Sequence, residues 1–204
     1  MEHCIIISGG MLASLPVCQP GDFVIACDKG LNYALQAGLT PDLAIGDFDS
    51  YQGALPEGIP VLRFPAVKDD TDTMLAVRYA LEHGYRKIML CCALGARMDH
   101  AMGNFQAAVH AARQGAEVSI VDDENLISFI DGGCITLQPR PGWSLTLLAW
   151  SDRCEGVTVT GARYNLQDAA LTNDFPLGVS NEWTSGPVTV SVAKGILMVM
   201  MSRL

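Results

Sequence analysis

The fold is decided by residues 23–46, which read FVIACDKGLNYALQAGLTPDLAIG. Its two apolar runs, FVIAC at the start and DLAIG at the end, predict buried strands. Between them, apolar residues recur at helical spacing as far as Gly38, and glycine commonly ends helices. A strand, a helix and a second strand in this order predict a crossover connection between parallel strands.

The same alternation extends through the first 122 residues. Further buried strands are predicted at CIIIS (4–8), VLRF (61–64), KIMLCCA (87–93) and EVSIV (117–121). Two more helices are predicted at 71–84 and 99–115, and each ends in glycine. We therefore expect residues 1–122 to form an α/β domain with a mostly parallel sheet.

The pattern changes after residue 122. Six strand-like runs follow, divided by Gly, Pro and Asp turns: LISFI, CITLQ, SLTLLAW, GVTVTG, PVTVSV and ILMVMM. Lys194-Gly195, between the last two runs, predicts a tight hairpin. No helical stretch of convincing length occurs, so residues 123–204 are expected to form an antiparallel sandwich or barrel.

The composition excludes some classes of partner. The chain of 204 residues has a formal net charge of −9 and no run of Lys or Arg, whereas a nucleic-acid-binding protein is expected to present a basic face. The acid excess fits a metal ion or a cationic ligand, or it serves solubility alone.

The cysteines and the hydropathy of the chain indicate the cellular compartment in which the protein is expected. The seven cysteines lack CxxC spacing and are expected to be reduced thiols, mostly buried, in a reducing cytoplasm. No basic region precedes the first apolar run, and no stretch approaches the roughly 20 apolar residues of a membrane span. We therefore expect a soluble cytoplasmic protein that binds neither nucleic acid nor membrane.

Acidic residues follow several of the predicted strands. They are Asp28 after FVIAC, Asp47 and Asp49 after DLAIG, Asp99 after KIMLCCA, and the KDDTD cluster (68–72) beyond VLRF. Ligands of an open parallel sheet bind at the carboxyl ends of its strands, and these acids are expected at that edge. Any one of them alone would more often be a helix cap or a solvated loop residue.

Asp47 and Asp49 lie two positions apart, so in an extended segment both carboxylates point the same way and can reach one cation. Hard oxygen ligands with open positions suit Mg²⁺, although a turn is the alternative for this pair. In KDDTD, Asp72 is expected inside the first turn of the following helix, while Asp69 or Asp70 is a candidate cap for it.

No P-loop and no kinase-like glycine-rich loop is present to bind phosphate. Arg97 is the better candidate, because it follows a strand end and its guanidinium can bind phosphate oxygens at two points. The alternative is a structural pair between Arg97 and Asp99.

The motifs GDFDS, KDDTD and GARMDHAMGNFQ, with GVTVTGARYNL and GVSNEW in the C-terminal part, resemble those of the thiamine pyrophosphokinase family. The resemblance covers essentially the whole chain. It implies transfer of pyrophosphate from ATP to the hydroxyl of thiamine with Mg²⁺, giving thiamine diphosphate and AMP. It also implies an α/β ATP- and Mg²⁺-binding catalytic domain (1–122), a β-sandwich domain for thiamine binding and dimerisation (123–204), and a homodimer with its sites at the subunit interface.

The resemblance also implies roles for individual residues. The metal-binding residues are Asp47, Asp49 and Asp72. The ATP-binding residues are Asp28, Asp47, Lys68, Asp69, Arg97 and Asp99. The catalytic residues are Asp49, Asp72 and Arg97. The thiamine-binding residues are Asp72, Ser180, Asn181 and Trp183.

Some questions stay open at this point. Lys29 stands where the family has glycine. Residues 95–97 read GAR where the family has GGR, so Ala96 is a second departure, and the nucleotide preference is undecided. Trp183 is either a platform for the thiamine rings or part of the core. A Mg²⁺-dependent phosphohydrolase and a non-catalytic nucleotide- or thiamine-sensing module are the competing functions.

Overall fold

The computed structural model describes residues 3–48, 55–64, 69–95 and 97–204 of a mixed α/β fold. The chain divides into two compact units, Met1–Asp123 and Glu124–Leu204. None of the helices in the described ranges combines the length and the apolar character needed to cross a membrane.

The first unit alternates strands and helices as the sequence predicts. Its elements are β1 (Cys4–Ile7), β2 (Phe23–Cys27), α1 (Gly30–Gln36), β3 (Leu43–Gly46), β4 (Val61–Arg63), α2 (Asp72–Glu82), β5 (Lys87–Cys91), α3 (Met98–Arg113) and β6 (Glu117–Val121). Each coincides with a predicted strand or helix, and those predictions are confirmed.

The strands of this unit pair in the order β6-β5-β1-β2-β3-β4, and every pairing is parallel. In β1, Ile6 aligns with Ile25 on one side and with Leu90 on the other. All four β1 residues are buried, as expected for a central parallel strand covered on both faces. On one side of β1 the strands follow in chain order as β2, β3 and β4, and on its other side lie β5 and then β6. The sheet therefore has a topological switch point between β1 and β5.

The second unit contains strands only, among its described residues. They are β7 (Asn125–Leu137), β8 (Trp143–Ala149), β9 (Arg153–Thr160), β10 (Leu166–Thr172), β11 (Gly178–Asn181) and β12 (Val188–Arg203). All pairings are antiparallel. The long strand β12 pairs with β7 along one edge, and along the other edge it pairs first with β9 and then with β8.

The predicted hairpin at Lys194-Gly195 is wrong, because both residues lie inside β12. Val192 pairs with Gly133 and Ile196 with Asp131, so the three residues between them on β12 stand opposite Gly132 alone. This is a β-bulge, and a positive φ of 92° at Gly195 accommodates it. A bulge and a turn both call for glycine between apolar runs, which is why the sequence pattern suggested two strands instead of one.

Candidate active site

A cleft of about 340 Å³ opens in the first unit at the carboxyl ends of β1, β2 and β5. Its lining includes Gly9 and Gly10 after β1, Asp28 after β2, and Ala93 and Gly95 after β5. The cleft therefore lies at the switch point between β1 and β5, where the topology of an open parallel sheet leaves room for a ligand.

Glycine is required in the wall of this cleft. The Gly10 N–H donates to the Cys92 carbonyl oxygen at 2.8 Å, and the Met11 N–H donates to the Leu94 carbonyl oxygen at 2.8 Å. A Cβ atom at Gly10 would lie 2.5 Å from the Cys92 oxygen and 2.6 Å from the Leu94 oxygen, closer than real Cβ contacts. The segments after β1 and β5 can approach this closely only because residue 10 has no side chain.

Asp28 and Asp72 form a hydrogen-bonded carboxyl pair in the cleft. Asp28 has a left-handed φ of 43°, and its Oδ1 accepts the Phe48 N–H at 3.1 Å. Burial and the hydrogen bond to Asp72, together with the charges of Asp72 and Asp47, raise the pKa of Asp28 to about 7, against the opposing effect of the Phe48 N–H. The two carboxyls therefore meet in the cleft, within reach of the charge of a third acid, Asp47.

The first turn of α2 presents Asp72 to the cleft. Thr71 caps the helix, and its hydroxyl oxygen accepts the Met74 N–H at 3.2 Å. The suggestion that Asp69 or Asp70 caps this helix is therefore wrong. Asp70 instead forms an ion pair with Arg78 at 2.5 Å, and neither it nor Asp69 is part of the cleft lining.

Arg97 lines the cleft just before α3, and it pairs with Asp99 as the sequence alternative suggested. Arg97 Nε donates to Asp99 Oδ1 at 3.1 Å and Nη2 donates to Oδ2 at 2.5 Å, a two-point contact between exposed groups. Asp99 itself is not part of the lining. Behind them, buried Asn104 donates from Nδ2 to the Ala93 carbonyl oxygen at 2.7 Å and ties α3 to the segment after β5.

The other predicted acids of the first unit are less well defined by the structure. Asp47 follows β3 and acts on Asp28 through its charge, but it is not part of the cleft lining. Asp49, Lys68 and the departure at Ala96 lie outside the described residues. Within the described ranges, no three His, Cys, Asp or Glu side chains are grouped so that they could hold a metal ion.

Sequence reasoning missed several residues that line the cleft: Cys27, Lys29, Thr73, His100 and Asn104. Lys29 and Thr73 directly follow Asp28 and Asp72 in the chain, and this adjacency was the available signal. The Lys29 ammonium lies 5.3 Å from the centre of the Tyr33 ring, a cation–π contact at an exposed position.

The remaining predicted residues belong to the second unit. Ser180 has a left-handed φ of 60°, and its N–H donates to Thr146 Oγ1 at 3.2 Å. The Asn181 side chain is buried and committed to the backbone: it donates to the Tyr164 carbonyl oxygen at 2.7 Å and accepts the Tyr164 N–H at 3.0 Å. Asn181 thus fixes the shape of its loop.

Trp183 is half-buried against the core of the second unit, and its Nε1 donates to the Leu137 carbonyl oxygen at 3.5 Å. At least one face of the Trp183 ring therefore belongs to the core, as the alternative interpretation of the sequence suggested.

Comparison with known proteins identifies relatives along nearly the whole chain. Residues 17–120 match the family model "Thiamin pyrophosphokinase, catalytic domain", and residues 135–197 match "Thiamin pyrophosphokinase, vitamin B1 binding domain". The thiamine pyrophosphokinase of Bacillus subtilis (strain 168) is 31% identical over 184 residues, covering 87% of this chain and 86% of the relative.

Solved structures agree with these matches. The crystal structure of thiamine pyrophosphokinase from Bacillus subtilis superposes with a TM-score of 0.91 at 27% identity and covers 100% of both chains. That of thiamin pyrophosphokinase from Geobacillus thermodenitrificans gives a TM-score of 0.86 at 28% identity and covers 100% of this chain and 98% of the other.

Proposed function

The chain belongs to the thiamine pyrophosphokinase family, and we propose that the cleft in its first unit is where pyrophosphate passes from ATP to thiamine. The protein is an enzyme, a thiamine diphosphokinase, with thiamine and ATP as its substrates. The observation that supports placing the active site here is the Asp28–Asp72 pair. Its two carboxyls converge in a cleft bounded by close-packed glycine backbone.

The two units divide the work in this proposal. Residues 1–122 form the catalytic domain that binds ATP and Mg²⁺, since the catalytic family model matches 17–120. Residues 123–204 form a β-sandwich domain for thiamine binding and dimerisation, since the vitamin B1 binding model matches 135–197. The entirely antiparallel pairing of β7–β12 is consistent with a sandwich.

The acids near Asp28 suit Mg²⁺. Carboxylate oxygens are the ligands this ion prefers, and the Asp28 and Asp72 carboxyls converge in the cleft, with the charge of Asp47 close enough to act on Asp28. Asp47, Asp49 and Asp72 are the proposed ligands. When bound, Mg²⁺ neutralises charge on the phosphate oxygens of ATP.

Cationic side chains would hold the rest of the polyphosphate. Arg97 exchanges Asp99 for phosphate oxygens at little cost, since the pair is exposed to solvent. Lys29 is a second cation in the cleft, and its contact with the Tyr33 ring is weak enough to be given up. Asp28, Lys68, Asp69 and Asp99 complete the proposed ATP side, with Asp99 holding Arg97 at the cleft until ATP binds.

The transfer itself is a substitution at the β-phosphorus of ATP. The thiamine hydroxyl oxygen forms a bond to the β-phosphorus, the bond from that phosphorus to the oxygen bridging it to the α-phosphorus breaks, and AMP leaves. The hydroxyl proton is released. The protein contributes chiefly by holding the two substrates in line and stabilising the charge on the phosphate oxygens, with Asp49, Asp72 and Arg97 as the catalytic residues.

Thiamine is a cation and would be held by Asp72 together with Ser180, Asn181 and Trp183. Because Asn181 is buried and hydrogen-bonded to Tyr164, it positions the loop that carries its neighbours. Trp183 offers the ring face that does not pack on the core.

A homodimer with its sites at the subunit interface follows from the same proposal. The second unit exposes large apolar side chains in and near β11: Tyr164, Phe175, Leu177 and Val179. Tyr164 is joined to β11 by a hydrogen bond from its N–H to Asn181, and exposed apolar patches are typical of association surfaces. The cytoplasm is the proposed location, since none of the seven cysteines, all of which the structure describes, forms a disulfide, and disulfides are rare in that compartment.

Incubation with ATP, thiamine and Mg²⁺, followed by chromatographic separation of the products, tests the reaction. We expect AMP and thiamine diphosphate in equal amounts, and neither without a divalent cation. Phosphate release that does not depend on thiamine would indicate a phosphohydrolase instead. Ligand binding without any product would indicate a sensing module.

Replacement of Trp183 tests the thiamine side. We expect Trp183→Ala to raise the KM for thiamine roughly 2- to 30-fold, as expected for loss of a cation–π contact, and to change the KM for ATP much less. The matched control is Trp143→Ala, because Trp143 packs half-buried on the same core. Steady-state kinetics on both variants measures the difference. Equal effects on the two substrates, or equal effects of the two variants, would make Trp183 a core residue.

A mixed dimer tests whether the sites are shared. We expect the mixed dimer of a Trp183→Ala subunit and an Asp72→Asn subunit to recover the wild-type KM for thiamine at about half the wild-type kcat, because one interface site then receives both defects and the other receives neither. Differently tagged subunits allow the mixed dimer to be purified and assayed alone. No recovery in that preparation would contradict a site shared between subunits.

A further inference from the structure

The first turn of α2 is tied to the sheet by polar contacts with residues at the ends of β1 and β2. Ser8, directly after β1, and Thr73, the second residue of α2, are joined by a hydrogen bond of 3.0 Å between their hydroxyls. Both are buried, with 1% and 6% of their surfaces exposed. The Cys27 thiol at the end of β2 donates to the backbone carbonyl oxygen of Asp72 at 3.6 Å.

These contacts surround a single residue. Asp72 lies between the cap Thr71 and the buried Thr73, its carbonyl accepts from Cys27, and its carboxyl is hydrogen-bonded to Asp28. Apolar packing alone lets a helix shift slightly along or about its axis. A directional hydrogen bond between buried groups opposes such shifts, because leaving either hydroxyl unpaired is unfavourable. The Ser8–Thr73 bond therefore fixes where the Asp72 carboxyl meets Asp28.

We propose that Ser8 and Thr73 are positioning residues for the transfer, acting through Asp72. The proposal rests on the role given to Asp72 in the proposed function. Neither hydroxyl needs to touch a substrate, since they are bonded to each other and their effect is transmitted through the first turn of α2. Supporting groups behind a functional carboxylate commonly change metal affinity or activity by 10- to 100-fold when they are replaced.

A set of four variants separates positioning from stability. Ser8→Ala and Thr73→Val each leave one buried hydroxyl without its partner, so both should lower Tm and lower kcat about tenfold. The double variant removes both hydroxyls, and its Tm should return toward the wild-type value because no buried polar group is left unpaired. Its kcat should stay about tenfold low, because the directional bond between Ser8 and Thr73 is then absent. Thr73→Ser keeps the hydroxyl and should restore kcat.

The control is Ser144→Ala in the second unit, where a buried serine donates to the Ser202 carbonyl oxygen at 3.3 Å. It should lower Tm without changing kcat. If the double variant regains wild-type kcat along with its Tm, or if kcat follows Tm in every variant including this control, the Ser8–Thr73 bond is only structural and the inference is wrong.

Titration with Mn²⁺ in the absence of substrates gives a readout that does not depend on turnover. We expect Thr73→Val and the double variant to bind Mn²⁺ about tenfold more weakly than the wild type, and Thr73→Ser to bind it normally, as measured by electron paramagnetic resonance. If the wild type makes no thiamine diphosphate, the proposed function fails and this titration alone decides the inference. Equal Mn²⁺ affinity in all variants would overturn it.

Discussion

We expect Asp72→Asn to lower kcat by about 10²-fold or more, a loss of transition-state stabilisation of about 3 kcal/mol. The amide has nearly the same volume as the carboxyl, so the fold should persist, but the negative charge and one oxygen ligand are lost. We expect this replacement to affect kcat because Asp72 lies in the cleft in contact with Asp28. The same loss is expected of Asp49→Asn, on the resemblance of GDFDS to the family motif.

Asp70→Asn is the matched control for Asp72→Asn. Asp70 belongs to the same acidic cluster, but it pairs with Arg78 and does not line the cleft. We expect it to keep kcat within about twofold of wild type, with at most a small change in Tm, since surface ion pairs contribute little. Circular dichroism and steady-state kinetics measure both quantities. Equal turnover of the two variants and the wild type would mean that Asp72 is structural.

The second large effect is expected from Gly46→Ala at the end of β3. A Cβ atom at this position would lie 1.8 Å from Asp28 Oδ1, and the Gly46 φ of 152° is one that residues with side chains rarely adopt. Asp28 must move away and lose its bond from the Phe48 N–H and its contact with Asp72. We expect kcat to fall about 10²-fold, since misplacement of a site group by about 1 Å has costs of that size.

Gly84→Ala separates backbone strain from displacement of Asp28. Gly84 has a φ of 86° at the end of α2, and a Cβ atom there would meet nothing within 4 Å. It should lower Tm through strain while kcat stays close to wild type. If Gly46→Ala turned over as fast as Gly84→Ala, Asp28 would have no part in the reaction, and the position given to the active site would be wrong.

The extent to which the sequence determines this structure differs between the two units. In the first unit, each strand and helix was predictable because buried parallel strands and amphipathic helices have distinct apolar periods. In the second unit, β7 and β12 were each divided at glycines, since a bulge and a turn require the same residue. The short strands β10 and β11 were missed because only one residue of each is buried and neither shows a clear alternation.

The candidate site shows the same limit. That Asp28, Asp72 and Arg97 would line one cleft was predictable from their places after strands and at a helix start. The hydrogen bond between Asp28 and Asp72 was not, because it depends on how α2 is set against the sheet. Nor did the sequence reveal that the Asn181 amide is committed to Tyr164, since burial of a polar side chain depends on tertiary packing.

The central claim is that one enzyme step moves two phosphates together from ATP to thiamine. Incubation with ATP carrying ³²P in its β-phosphate, with thiamine and Mg²⁺, tests this most directly. The account predicts that the label appears in thiamine diphosphate in step with AMP formation, and that it does so from the earliest time point. Label that appears first in ADP, or in free phosphate or pyrophosphate with thiamine unchanged, would contradict it.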